Sequence, residues 1–253
     1  MSEPLLRCQS GVASHAGCVR GDNEDAFHAD DAAGLWAVAD GMGGHANGEW
    51  ASAAIVEQLA AFAASVSFEA GCAEIAELIY QANRRIFEEG AARGTQMGST
   101  VVALHASGSR FSVFWVGDSR AYLLRDRRLH RISRDHSQVQ TMIDRGLLAP
   151  EEAAGHPMGH ILARAVGVEA KVEVDVVADE VAPGDTFLLC SDGLHGYVGE
   201  EAIAAALAHA SVQGAAESLI AMTLDAGAPD NVTVVAIRFA EATLLDFSTG
   251  AGA

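Results

Sequence analysis

Four aspartates stand where an apolar run meets a turn: Asp40-Gly41, Gly117-Asp118, Ser191-Asp192-Gly193 and Asp230-Asn231. A short apolar run bounded by turn residues reads as a buried strand, which fixes the backbone at its end. A glycine beside the carboxylate lets another group approach closely. Asp-Gly is also a favoured turn, so any one of the four is explained by turn chemistry alone. Their recurrence at strand ends is not, because a turn does not require a carboxylate. Carboxylates that converge repel one another, and their pKa values rise unless cations sit between them. An all-oxygen donor set suits Mg2+ or Mn2+ rather than Zn2+. Two such ions about 4 Å apart can share a bridging carboxylate and a hydroxide and clamp a phosphoryl group for in-line attack. Asp40 is the natural bridge, since the glycine after it, Gly41, exposes a backbone carbonyl as a further ligand.

Upstream lies Arg20-Gly-Asp-Asn-Glu24-Asp25. Arg20 can grip a phosphate bidentately, and Glu24 or Asp25 can hold a metal-associated water. Standing alone, the segment would read as a solvated charged turn. Lys171 is the only lysine among 16 basic residues, so positive charge is almost entirely planar guanidinium. The formal charge of −18 repels phosphate backbones and anionic lipid and favours metal cations. General nucleic-acid or membrane-surface binding is therefore excluded as the expected function. Asp135-His136-Ser137 is not a nucleophilic triad, because its members are adjacent and no nucleophile elbow is present. Asp135 reads instead as the cap of the helix that follows. No Walker A pattern occurs.

The elements that must position these groups come from a chain of 253 residues, half of them hydrophobic and 20% charged. That suits one large domain with a sizeable core. Leu35–Ala39 reads as a buried strand ending at Asp40, and Gly48–Val66 and Cys72–Phe87 carry helical spacing. Strands are expected at Thr100–His105, Phe111–Val116, Arg120–Leu124 and Leu129–Ile132, then at Val172–Val177, Thr186–Cys190 and Val232–Phe239. Ala202–Leu224 reads as helix in two pieces. Strands come in consecutive groups and helices in pairs, so antiparallel sheets with helices outside fit better than a parallel βαβ sheet. Residues 136–167 differ in character and read as an insertion packed on a body spanning 1–240; residues 241–253 read as a short frayed tail. Met97, Trp115 and the phenylalanines are expected in the core. The four cysteines form no CxxC pair and read as free thiols in a reducing compartment. The start lacks an apolar signal segment, and Glu57 and Gln58 interrupt the most apolar stretch, Ala51–Val66. A soluble, cytoplasmic protein is the expectation.

Seven motifs occur in order: Arg20 with Glu24-Asp25, Asp40-Gly-Met-Gly-Gly-His45, Gly98-Ser-Thr100, Val116-Gly-Asp-Ser-Arg120, Arg134-Asp-His-Ser137, Ser191-Asp-Gly-Leu194 and Asp230-Asn-Val-Thr233. In this order and spacing they resemble the type-2C metal-dependent protein Ser/Thr phosphatases, most closely their compact bacterial members. The resemblance spans about Gly11 to Arg238. It implies an α+β fold: a four-layer αββα sandwich, two antiparallel sheets flanked by helix pairs, with metals at one end. By the same resemblance Asp40 bridges two Mn2+ or Mg2+ ions, and Asp192 and Asp230 complete one site. The Gly41 carbonyl and, through water, Glu24 serve the other. Arg20 binds the substrate phosphate, and Asp25 and Asn231 support the ligands. Asp118 with Asp192 matches a weaker third metal site. Residues 136–167 match a flap beside the active site. Partners would be phosphorylated proteins, the substrates of a Ser/Thr kinase and the kinase itself.

The sequence departs from the family at Met42, where some members carry a histidine proposed as general acid. Either a water or a nearby histidine must then protonate the leaving seryl oxygen; His45 and His195 are nearest in sequence, and water is the preferred reading. The flap run His156-Pro-Met-Gly-His160 departs as well, since bacterial relatives often have arginine and asparagine after the proline. A catalytically dead relative acting as a binding module is the alternative. It would be marked by a lost metal carboxylate, and none is lost. A two-metal nuclease is opposed by the −18 charge.

Overall fold

The computed structural model describes residues 6–44, 46–153, 156–208 and 211–242. Its strands form two sheets. The first has the order β1 (Leu6–His15), β11 (Val232–Glu241), β10 (Thr186–Cys190), β7 (Arg120–Arg125) and β8 (Arg128–Arg131). The second runs β2 (Asp25–Asp30), β3 (Leu35–Met42), β5 (Val101–Ser107), β6 (Arg110–Val116) and β9 (Asp175–Glu180), and the two-residue β4 (Gly98–Ser99) pairs with the end of β3. All named pairings are antiparallel.

Strand β3 shows why its apolar run is continuous rather than alternating. Trp36 and Val38 pack between the sheets with Val102, Leu104, Phe187 and Val235. Leu35, Ala37 and Ala39 point the other way, onto α1 (Ala46–Leu59) and α2 (Phe68–Arg93). A strand covered on both faces has no reason to alternate. The first sheet's outer face is covered by the short α4 (Asp192–His195), α5 (Glu200–Leu207) and α6 (Val212–Asp225). The four expected layers are therefore present. In α2, Ser67 caps the start by accepting from the Ala70 amide, and Gly94, at φ 65°, ends it in the left-handed region.

The structure departs from the sequence reading in several places. Strands β1 and β2 did not stand out in the sequence. Both are sheet edges of mixed polarity, so neither carries a clean apolar run. Strand β9 begins at Asp175, not Val172: Val172 and Val174 are drawn into the helix-side core before the sheet edge starts. Helix α3 (Gln138–Asp144) is capped by Ser137, whose Oγ accepts from the Gln140 amide. Asp135 is used elsewhere: Arg120 donates to both its oxygens, at 3.0 and 2.7 Å, and Arg131 adds a further bond. Met97 and Trp115 are buried as expected, whereas Phe27 and Phe87 are exposed. Of the tail expected at 241–253, Glu241 still belongs to β11; the residues beyond 242, and His45, lie outside the described residues.

Candidate active site

The functional groups gather where strands of both sheets end. Asp40 lies near the end of β3, opposite Asp25 in the β2 register. Asp118 sits in the turn between β6 and β7, and Asp192 opens α4 directly after β10. Asp230 stands just before β11; Arg20 and Glu24 come from the connection between β1 and β2. A cavity of about 580 Å3 joins them, lined by Arg20, Glu24, Asp40, Gly41, Asp118, Asp192, Asp230 and Asn231. Of the described site residues named from the sequence, Asp25 and the candidate proton donor His195 are set back from this lining.

Backbone groups hold Asp40 in place. Its amide donates to Thr100 Oγ1 at 3.1 Å, and its carbonyl accepts from the Thr100 amide and from Ser99 Oγ, both at 2.9 Å. The Gly-Ser-Thr motif thus acts as a brace. Gly41 permits a close crossing: a Cβ there would lie 2.1 Å from the Gly48 carbonyl oxygen and 2.7 Å from that of Glu24. Asn231 ties the β1–β2 connection to β11. Its Oδ1 accepts from the Glu24 amide at 2.7 Å, and its Nδ2 donates to the carbonyls of Ala16 and Asp22, each at 2.9 Å. Asp25 accepts from Ser191 Oγ at 2.8 Å through Oδ2, while its buried Oδ1 has no hydrogen-bond partner among the described residues. Asp230 takes a 2.9 Å ion pair from Arg20, both side chains about half exposed.

The electrostatics are those of carboxylates crowded without compensation. Burial, then the charges of Asp25, Asp192, Asp118 and Asp230, push the Asp40 carboxyl well above its ordinary range, although the cavity leaves its rim open to solvent. Asp118 rises to about 8 by burial and the neighbouring Asp192. Asp25 rises to about 7 by burial, against the lowering effect of its hydroxyl partners Ser191 and Thr233. Asp192 is raised by burial and Asp230, against the nearby His160 and a hydrogen bond with Asp40. Among the described residues, no three of these side chains close around one point as a finished ion site. The donor chemistry nevertheless fits hard divalent cations. It is all oxygen, and the repulsion within the cluster is the kind that a cation relieves.

Residues not named as site residues from the sequence also reach the cavity. His160, in the insertion, places Nδ1 3.8 Å from Asp192 Oδ2, and Tyr197 lines the wall beyond α4. Neither is marked by sequence spacing. His160 arrives because the insertion folds back, with the Gln138 amide donating to the Ile161 carbonyl. His195 ends α4, and its Nε2 lies 3.0 Å from the Asp118 carbonyl. Burial, then the Arg120 charge, drops its pKa to about 3. The low pKa and this contact set the ring beside Asp118 as a neutral imidazole.

The family model of protein phosphatase 2C matches residues 14–225. The chain is 38% identical over 244 residues to the serine/threonine protein phosphatase PstP of Mycobacterium tuberculosis, a match covering 93% of this chain and 46% of that relative, so it spans about half the relative's length. Among solved structures it is similar to PppA of Pseudomonas aeruginosa, described as a key regulatory component of T6SS, with 41% identity and a TM-score of 0.88 over 94% of this chain and 100% of that one. It is also similar to a PstP catalytic domain in complex with 2 manganese ions, with 36% identity and a TM-score of 0.83 over 93% of this chain and 100% of that one. With the carboxylate cluster at one end of an αββα sandwich and these matches along most of its length, the chain belongs to the protein phosphatase 2C family.

Proposed function

We propose that the chain is a metal-dependent protein serine/threonine phosphatase that hydrolyses phosphoserine and phosphothreonine on proteins with Mn2+ or Mg2+. The observation that carries this reading is the convergence of Asp40, Asp118, Asp192 and Asp230 on one cavity, with several of their carboxyls driven upward by burial and mutual repulsion. The named activity of PstP and its two manganese ions support it. Asp40 would bridge two ions, with Asp192 and Asp230 completing one site, and Glu24 and the Gly41 carbonyl serving the other. Asp118 with Asp192 would form the third. When bound, the ions would activate a water and neutralise the phosphoryl oxygens. The proposed partners are phosphorylated proteins and the Ser/Thr kinase that makes them. Among the described residues no helix is long and apolar enough to cross a membrane; placement in a bacterial cytoplasm is part of the proposal. The direct test is phosphate release from a phosphothreonine peptide with Mn2+, with chelator, and with Mn2+ restored. No Mn2+-dependent release would sink the reading.

Arg20 is positioned to exchange partners. Its ion pair with Asp230 is half exposed, so a phosphate entering the cavity competes for the same fork. Arg20→Ala should raise KM about tenfold or more, the worth of charged hydrogen bonds. Lysine should rescue poorly, because an ammonium cannot make the planar fork. An unchanged KM in both variants would return Arg20 to the role of a solvated turn residue.

The proton for the leaving oxygen needs a source, and Met42 offers none. We assign its delivery to a water held by Asp118, which is buried and lines the cavity. Asp118→Ala should cut phosphopeptide turnover by roughly a hundredfold, the scale of general acid catalysis. It should hurt p-nitrophenyl phosphate far less, since that leaving group departs without a proton. Mn2+ titration followed by calorimetry should still show the two core ions. Equal loss on both substrates would remove Asp118 from proton delivery.

A further inference from the structure

The segment Arg134–His136 runs along the turn that carries Asp118 and is bonded to it on both sides. Before Asp118, the Trp115 indole donates to the Arg134 carbonyl at 2.8 Å. After it, Arg120 donates to both Asp135 oxygens. Beside Asp118 itself, the His136 amide donates to the Gly117 carbonyl at 2.9 Å, and the Gly117 amide donates to His136 Nδ1 at 3.1 Å. The backbone needs such a hold at this point. Gly117 has φ 107°, and a Cβ on it would lie 2.6 Å from Thr100 Cγ2, so the turn requires glycine, the residue with the most backbone freedom to lose.

We propose that His136 is a positioning residue for Asp118: by holding the Gly117 amide it keeps the Asp118 carboxylate at the cavity wall. The proposal rests on the phosphatase reading above and on the place given there to Asp118. The bond from Gly117 requires Nδ1 to be an acceptor, so the proton of a neutral ring is on Nε2. That nitrogen lies 3.3 Å from Asp175 Oδ2, on β9. Arg164 holds the same carboxylate, donating to its Oδ1 at 2.7 Å. The ring stacks on Trp115 with centroids 6.2 Å apart, and its side chain is 10% exposed. Its tautomer and plane are thus set by Asp175, Arg164 and Trp115, none of which lines the cavity. Packing alone would not need the nitrogen. Another side chain of similar volume would fill the space against Trp115 and leave the Gly117 amide without its acceptor.

Asparagine and glutamine separate the two ring nitrogens. An asparagine Oδ1 stands where Nδ1 does and can accept from the Gly117 amide. A glutamine carries its polar group out towards Asp175 and leaves that amide unbonded. The first readout is the ratio of kcat on a phosphothreonine peptide to kcat on p-nitrophenyl phosphate, taken on the intact chain with Mn2+. His136→Gln should lower this ratio about tenfold or more, the loss expected when the support of a site carboxylate is removed, and in the same direction as Asp118→Ala. His136→Asn should keep most of it. Both rates come from one preparation, so the ratio is unaffected by how much of a variant is folded. The second readout is amide exchange at Gly117, followed by NMR in the metal-free protein. It should be about tenfold faster in His136→Gln than in the wild type, the worth of one hydrogen bond, and close to the wild type in His136→Asn. A wild-type ratio in His136→Gln would overturn the proposal, as would wild-type exchange at Gly117 in that variant. Equal falls in ratio for the two variants, or a fall in His136→Asn alone, would make the ring a packing element and overturn it too. Each of these outcomes leaves the phosphatase reading intact. No Mn2+-dependent turnover of the phosphopeptide by the wild type would overturn that reading and this proposal together.

Discussion

Asp40→Asn should leave a folded protein that is inactive, yet more heat-stable than the wild type when both are stripped of metal. The activity loss follows from the bridging role proposed for Asp40. Removing its charge weakens the hold on both ions and several kcal/mol of charge stabilisation with it, about a thousandfold or more in rate. The stability gain follows from crowding. In the metal-free protein Asp40 is pushed up first by burial and then by four other carboxylates, and an uncharged amide does not share that repulsion.

The sign with pH is fixed. A carboxyl whose folded pKa is raised lends stability that is complete below its unfolded value, near 4, and is lost as pH rises towards the folded value. With Asp25 at about 7 and Asp118 at about 8, the metal-free wild type should lose Tm between pH 5 and 8. The Asp40→Asn variant should show a shallower loss. Mn2+ should raise the wild-type Tm most at pH 8, where protons compete least, and should raise that of Asp40→Asn little. Thermal scans with and without metal at the two pH values check all of this. A metal-free Asp40→Asn melting below the wild type at pH 8 would show that Asp40 is a structural residue rather than a strained ligand.

The largest loss of stability should come from Arg120→Ala. Arg120 and Asp135 are 18% and 11% exposed and joined by two bonds, with Arg131 on the same carboxylate. Arg120 also donates to Tyr122 Oη at 3.1 Å. Its removal leaves Asp135 buried with one remaining cation, at a cost of about 3 kcal/mol, or roughly 10 °C in Tm for a chain of this size. Because Arg120 follows Asp118 by two residues and His195 Nε2 lies 3.0 Å from the Asp118 carbonyl, Mn2+ affinity should weaken alongside Tm. The double variant Arg120→Met with Asp135→Leu should recover most of the Tm, since an apolar pair costs no desolvation. A single variant within about 2 °C of the wild type, well below that expected shift, would show that Arg131 alone satisfies Asp135.

Much of this site was legible because its residues punctuate buried strands. Asp40, Asp118, Asp192 and Asp230 each mark the point where an apolar run meets a turn, and a run buried on both faces is visible in sequence without any knowledge of its neighbours. The edge strands β1 and β2 were not, since half-exposed strands mix polar and apolar residues. Asp135 was misassigned to a cap because its partner Arg120 lies 15 residues away in sequence, across a hairpin. His160 and Tyr197 were missed for a similar reason: only the folding back of an insertion and the turn after α4 bring them to the cavity. Asn231 was named as a supporting residue, but its work, three bonds tying the β1–β2 connection to β11, is a property of the closed chain.

That closure has a consequence for how the protein is made. Among the described residues strand β1 comes first and pairs along ten residues with β11, which comes last, from Leu6 opposite Glu241 to His15 opposite Val232. The cavity likewise draws on Arg20 near one end and Asp230 near the other. Pairings so distant along the chain are entropically late in folding. During synthesis the second sheet and its helices can assemble while β1 waits without a partner. The carboxylate corner cannot close until the chain through β11 has left the ribosome. Newly made chains should therefore gain Mn2+ affinity in a single late step, and a nascent chain stalled before Asp230 should have none.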